Sequence, residues 1–424
     1  MWFAGVQIPD AALPLMLKPF LFGALFLFVA APTIQTASRS TIFWAAPAIL
    51  VAAMIIAWAA ESAQFFIAQG FALAILAWMQ TLPEFAIEAV FAWKQQVPYL
   101  FASLTGALRL LTGLGWPMIY CAAALAYRKR HKQPMRRIQL EGEQSVQVVG
   151  LLLPLVYISF VAAKGKLEIY DAVVLIAIYG AYLLVLGKMP PQEAEGINDL
   201  ERIPRAIVRS PRVRRIALIG GLFAAGGLLI YVSAEPFLGS LFAISTSVGI
   251  PAFVFVQWVA PFISEFPEGL STFYWARTVH RAPMALMNLV SSNINQWTLL
   301  AAMLPIVLSF SMKTVAAIPL DAQQSVEVWM TIAQQLVGML FLVNMELAWW
   351  EATALFVLWL VQFLFSAIKP DTPFWGMVGE HFHLWITIVY FVWAGWELLR
   401  LLMGQRKPAA FIEFAKMWRE HVRA

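Results

Sequence analysis

Two glutamates directly follow prolines inside long apolar runs. "QTLPEFAIEA" places Glu84 after Pro83, and "SEFPEGLSTF" places Glu268 after Pro267. A charged side chain at bilayer depth costs about 3 kcal/mol or more, so it is retained for a reason. Proline has no backbone N–H and blocks the helix hydrogen bond one turn back. The freed carbonyl is tolerated at membrane depth only where it meets protein, water or an ion. Each Pro-Glu pair therefore offers charged and neutral oxygens together, the donor chemistry of hard cations such as Ca2+. The plainer reading is a kinked helix with a glutamate at its end. Two copies at matched positions favour the cation site.

The chain around these pairs is that of an integral membrane protein. Of its 424 residues, 61% are hydrophobic and only 12% are charged, against about 25% charged in soluble domains. One cysteine, Cys121, excludes a disulfide framework or a cysteine metal cluster within the chain. The net charge of +5 is concentrated in a few loops, which signals topology and not nucleic-acid binding. The expected partners are membrane lipids and inorganic cations. The N-terminus lacks the pattern of a cleaved signal and reads as a retained helix.

Twelve segments are long and apolar enough to cross a bilayer: 13–36, 43–60, 66–92, 98–127, 146–164, 168–187, 215–236, 241–276, 283–311, 325–347, 350–368 and 383–404. The segments 66–92 and 241–276 exceed one crossing, and the Pro-Glu inside each is expected to break it. Basic residues gather at 128–137, across 188–215, at 276–281 and beyond Arg400. Twelve crossings place all four on one side, which the positive-inside rule makes cytoplasmic along with both termini. The inner membrane of a bacterium is the expected location.

Four landmarks recur in order between the halves of the chain. Glu61 matches Glu235, Glu84 matches Glu268, "ASLTGALRLLTG" matches "MNLVSSNINQWT", and Asp171 matches Glu351, at offsets of 174, 184, 185 and 180 residues. Five helices in each half mean that the second half enters from the opposite side, an inverted repeat typical of secondary transporters. The expected fold is all-α: two inverted five-helix repeats plus one extra helix at each end, about twelve transmembrane helices. The divisions fall at 1–42 for the N-terminal helix, 43–187 for the first repeat, 188–214 for a basic cytoplasmic linker, 215–368 for the second repeat and 369–424 for the C-terminal helix and basic tail.

Other polar residues could complete the site. Asn288, Ser292, Asn295 and Gln296 share a helix face through spacings of three and four. They serve either as ligands or as packing groups, since amides and small residues also join membrane helices; for Asn295 packing is favoured. Ser264, Glu265, Ser271 and Thr272 flank Glu268. The first half has no amide in the corresponding stretch but carries Arg109. Arg109 either pairs with Glu84 or Glu88, replaces a lost cation, or snorkels to a span end. Glu61, Glu235, Asp171 and Glu351 read as helix-end or structural groups, and His381 and His383 as loop residues. No catalytic constellation lies at bilayer depth, so an enzyme is not expected.

These motifs resemble the cation/Ca2+ antiporter superfamily, which includes sodium/calcium and calcium/proton exchangers. Its repeats read like "GTSLPE" followed by "GNxxGSNIxN". Here they read "MQTLPE" with "ASLTGALRLL" and "ISEFPE" with "MNLVSSNINQ", and the resemblance covers roughly 43–368. It implies the exchanger fold and alternating access, with Glu84 and Glu268 as the central cation ligands. It implies further ligands at Thr81, Ser264, Glu265, Asn288, Ser292 and Gln296, and no cofactor beyond a transported Ca2+, Na+ or H+. The chain departs from the family at Gln80 and Thr81, at Ala107 and Leu111, and at Glu265. With fewer neutral oxygens and an added carboxyl, proton coupling gains over sodium coupling. The eroded first repeat and Arg109 raise the alternative of a membrane scaffold or regulator of the same fold that no longer transports.

Overall fold

The computed structural model describes residues 38–66, 78–79, 81–189, 197, 200–366 and 373–422. The expected helix at 13–36, residue Gln80 and most of 188–199 lie outside the described residues.

The first half holds α1 (Ile42–Ala63), α2 (Leu82–Trp93), α3 (Val97–Leu110), α4 (Trp116–His131), α5 (Ser145–Gly150), α6 (Leu152–Lys164) and α7 (Ile169–Leu186). A short linker helix, α8 (Arg202–Val208), leads to the second half. That half holds α9 (Arg212–Val248), α10 (Ala252–Ser264), α11 (Phe266–Ala276), α12 (Ala282–Asn295), α13 (Ala301–Met312), α14 (Ala322–Leu342) and α15 (Trp349–Ser366). The chain closes with α16 (Pro373–Leu402) and α17 (Ala409–Met417). Among the described residues, nine helical stretches are long and apolar enough to cross a membrane.

The halves match in local detail that only a repeat explains. α3 runs into a π-helical turn at Leu111–Gly115, and α12 runs into one at Gln296–Leu300. Left-handed residues end α4 at Lys132 and α13 at Lys313. Asp171 accepts from the Glu168 backbone N–H at 2.7 Å, and Glu351 accepts from that of Ala348 at 2.8 Å. These side chains start α7 and α15 and satisfy donors that a helix start leaves open, as expected of helix-end groups. Four short strands complete the pattern: β1 (Arg137–Gln139), β2 (Lys166–Leu167), β3 (Ile318–Pro319) and β4 (Glu346–Ala348). β1 pairs with β4 and β2 with β3, both antiparallel. Since β1 corresponds to β3 and β2 to β4, exchanging the halves turns one sheet into the other, as a two-fold axis demands.

One expectation needs correction, and one alternative falls away. Spans at 215–236 and 241–276 were expected with a break between them, yet α9 continues through Pro236 to Val248. The stop comes at Gly249, in the left-handed region with φ 66°, followed by Pro251 at the cap of α10. A Gly-x-Pro sequence ends a helix by supplying positive φ and then removing a donor, whereas Pro236 interrupts only one bond. The prolines of the Pro-Glu pairs do not kink continuous helices either. Pro83 and Pro267 each occupy the first turn of a new helix, where the missing N–H has no partner to lose. The long segment 241–276 is broken, as expected, between Ser264 and Phe266.

Candidate cation site

The fresh helix starts at α2 and α11 place Glu84 and Glu268 in a first turn. There the open N–H groups and the positive end of the helix dipole favour an anion. Both side chains are buried, at 2% and 1% exposure. Glu265, in the break before α11, stands between them within hydrogen-bonding reach of each.

α12 and its π-turn supply the polar shell for both glutamates. Asn288 Nδ2 and Ser292 Oγ donate to Glu268 Oε1 at 2.8 and 2.5 Å. Gln296 Nε2 donates to Glu84 Oε2 at 2.8 Å and to Glu265 Oε1 at 2.6 Å. Asn295 Nδ2 donates to Thr81 Oγ1 at 2.6 Å, and the Thr81 hydroxyl donates to the Trp78 carbonyl at 2.9 Å. Asn295 thus holds the start of α2 across the repeat boundary and is more than packing. Its partner lies 214 residues away, which no local spacing reveals. Ser264 donates to the Ala260 carbonyl of its own helix at 3.2 Å. Ser271 Oγ donates to Glu61 Oε1 at 3.1 Å; Glu61 is buried and joins the two halves, the structural of the two roles expected for it.

The first repeat therefore gives the site a carboxyl, and the second repeat gives it two carboxyls and every amide. Ala107 and Leu111 contribute no polar atom, as their types require. Their loss does not strand Glu84, because Gln296 reaches it from the other half.

Arg109 lies outside this cluster. It pairs with neither Glu84 nor Glu88, and it does not snorkel. Its guanidinium is fully buried, with Nη1 2.5 Å from Glu327 Oε2. Nε donates to the Thr105 carbonyl at 3.1 Å, and Gln362, with its amide oxygen turned inward, accepts from Nη1 at 2.7 Å. Glu327 also accepts from Gln257 Nε2 at 2.8 Å and contacts His383 Nδ1. His383, expected in a loop, sits inside α16, and its Nε2 lies 3.0 Å from Ser366 Oγ. Gly106 permits this arrangement, since a Cβ there would lie 1.9 Å from the Gln257 carbonyl oxygen of α10. The arginine that motivated a non-transporting reading is thus neutralised elsewhere.

Among the described residues, no lysine or arginine forms an ion pair with Glu84, Glu265 or Glu268. Glu84 Oε1, Glu268 Oε2, Gln296 Oε1 and Asn295 Oδ1 are buried without a hydrogen-bond partner. Unsatisfied buried acceptors are costly, and all four are oxygens. A cation or shared protons would satisfy them; an anion would not. Among the described residues, no three His, Cys, Asp or Glu side chains converge as a ready-made metal cage, so amide and hydroxyl oxygens are needed to complete a coordination shell.

Comparison with known proteins agrees with this chemistry. The profile of the family described as sodium/calcium exchanger protein matches the chain twice, over residues 38–188 and 218–368. The chain belongs to the sodium/calcium exchanger protein family. As a member, this exchanger is an integral membrane cation antiporter built from two repeats, and the family is one of transporters, not enzymes. Among solved structures it is similar to an H+/Ca2+ exchanger, CAX, at 28% identity and TM-score 0.83, covering 97% of this chain and 98% of that one. The fold also matches native YfkE, at 14% identity and TM-score 0.60, over 82% and 98% of the two chains. It matches the sodium-calcium exchanger NCX_Mj, at 17% identity and TM-score 0.50, over 77% and 97%. No curated protein matches the exchanger in sequence.

Proposed function

We propose that this exchanger carries Ca2+ against protons, with Glu84, Glu265 and Glu268 as the shared binding groups. One observation carries the reading: three buried carboxyls stand in hydrogen-bonding sequence, and among the described residues no lysine or arginine pairs with them. Ionised carboxylates at that spacing repel and cannot share hydrogen bonds. The triad is neutral with three protons, or with one Ca2+ and one proton. Moving between those states exchanges two protons for each Ca2+. Asn288, Ser292 and Gln296 supply neutral oxygens or hold the carboxyls, while Thr81 and Ser264 lie at the two helix breaks. The 28% identity to the H+/Ca2+ exchanger CAX supports the ion pair. Glu265, where the family has a neutral hydroxyl, supports protons over sodium.

Alternating access follows if the two repeats move relative to one another around this site, exposing it to each side in turn. The basic loops support a reading with both termini in the cytoplasm, and a bacterial inner membrane suits that topology.

The test is ion counterflow in proteoliposomes across Ca2+, Na+, K+ and H+. Ca2+ exchange and pH-gradient-driven Ca2+ uptake are expected, and Glu84→Gln and Glu268→Gln each abolish both. Uptake driven by a sodium gradient and indifferent to pH would replace protons with sodium. Wild-type transport in both variants would overturn the site.

A further inference from the structure

Two neighbouring helices end in arginine at the same membrane face. α4 and α11 pack together. On α4, Cys121, Leu125 and Arg128 recur at helical spacing, followed by Lys132 at the cap, and all four are exposed. Residues three and four apart share a helix face, so they form one outward stripe. On α11, Phe266, Leu270, Tyr274 and Arg277 form another, with only Leu270 half-buried. Leu125 is 64% and Tyr274 48% exposed, which suits hydrocarbon beside a membrane span. Each stripe runs from apolar side chains to a cation at its end.

The two ends are joined. Arg130 Nη1 donates to the Thr278 carbonyl at 3.1 Å, and Nη2 donates to the Arg277 carbonyl at 3.5 Å. The Arg277 guanidinium lies over the Phe273 ring, 5.8 Å from its centroid, where the apolar stripe meets the polar face.

This positive charge has no acid to balance it. No Asp or Glu occurs in 89–140 or in 269–320. Among the described residues, Arg128, Lys129, Arg130, Lys132 and Arg277 form no ion pair. The contrast lies across the membrane. The continuous rod Val97–His131 crosses once, and Gly142–Lys164 crosses back, so Lys94 and Lys164 mark the opposite face. There Lys94 pairs with Glu235, Lys164 with Asp171 and Lys166 with Glu168. Even in the loop after α4, Arg137 is tied to Glu346. A topology signal needs only the charge. Cations set in line with lipid-facing columns, and drawn together without an acid, call for an anion from outside the chain.

We propose that this rim docks anionic phospholipid headgroups, with their acyl chains along the two stripes. The planar arginine fork matches phosphate oxygens. The apolar columns beneath it fix the source as a lipid and not free phosphate. A lipid held at Arg277 grips the end of α11 opposite Glu268, which sits in the first turn of that helix. The docking does not depend on which ions the central site exchanges.

The test titrates the delipidated full chain, in neutral detergent, with phosphatidylglycerol or phosphatidylcholine and counts bound lipid by native mass spectrometry. Phosphatidylglycerol is expected to bind roughly tenfold tighter, and Arg128→Gln combined with Arg277→Gln to remove most of that preference, at about fivefold per charge. Arg137→Gln should stay within about twofold of wild type, because its charge is already matched. Equal binding of the two lipids overturns the proposal, as does a double variant that keeps the preference. A loss in Arg137→Gln as large as in the double variant also overturns it, by reducing the rim to a diffuse positive surface. Inorganic phosphate that displaces phosphatidylglycerol at equal concentration would overturn the lipid in favour of a free anion. Should the double variant fail to fold, Arg128→Gln decides alone: a loss of about fivefold supports docking, and unchanged binding overturns it.

Discussion

Glu327 and Glu84 are both buried, at 0% and 2% exposure, yet their surroundings are opposite in kind. Glu327 is saturated: Arg109, Gln257 and His383 all reach its two oxygens. Glu84 has one amide on one oxygen and an open second oxygen, and further carboxyls for neighbours. A carboxylate matched by arginine is a structural tie, already neutral and unable to exchange its partner without large cost. A carboxylate held by amides and left short of positive charge remains available to a cation that comes and goes. Burial therefore does not mark the transport site; the missing counter-charge does. The tie is confined to one half as well, since Ile294 and Gln147 stand where a symmetric copy of Arg109 and Glu327 would be.

Five variants would break or sharpen this contrast. Glu327→Ala strands the Arg109 guanidinium and should lower stability by about 3–5 kcal/mol, read as a fall in the thermal midpoint in detergent. The double replacement Arg109→Leu with Glu327→Leu should recover most of that loss. Gln296→Leu removes the donor shared by Glu84 and Glu265, and should lower stability by about 2 kcal/mol and Ca2+ affinity roughly tenfold. Glu84→Gln strands no opposite charge, so stability should stay within about 1 kcal/mol of wild type although flux is lost. A large destabilisation there would erase the distinction. Lys94→Ala breaks an exposed pair with Glu235 and should change stability by no more than about 0.5 kcal/mol.

The glutamates at the centre were readable because proline-glutamate in an apolar run is locally anomalous and the anomaly occurs twice. The repeat was readable for the same reason, through landmarks at nearly constant spacing. The ties between halves were not. Glu327 lies 218 residues from Arg109 in the chain, and neither residue type names its partner. His383 read as a loop residue because the apolar run begins there, whereas α16 starts at Pro373. The apolar stretch 215–276 divides near residue 236 on the sequence alone because its length exceeds one crossing and nothing local marks the turn. Gly249, with its positive φ, is where the backbone turns.

The paired π-turns after α3 and α12 carry a consequence of their own. Each adds a residue to one winding of the helix, so everything beyond it is rotated by about 100° relative to regular winding. Gln296 opens the second of these turns. Deleting one residue from 297–300 would restore ordinary pitch, and the rest of α13 would present a different stripe to α2 and α7 with no side chain exchanged. The bulge is thus a phase setting, fixed at the same place in both halves. It separates the choice of residues that face the ion from the choice of residues that pack the outer end of the same rod.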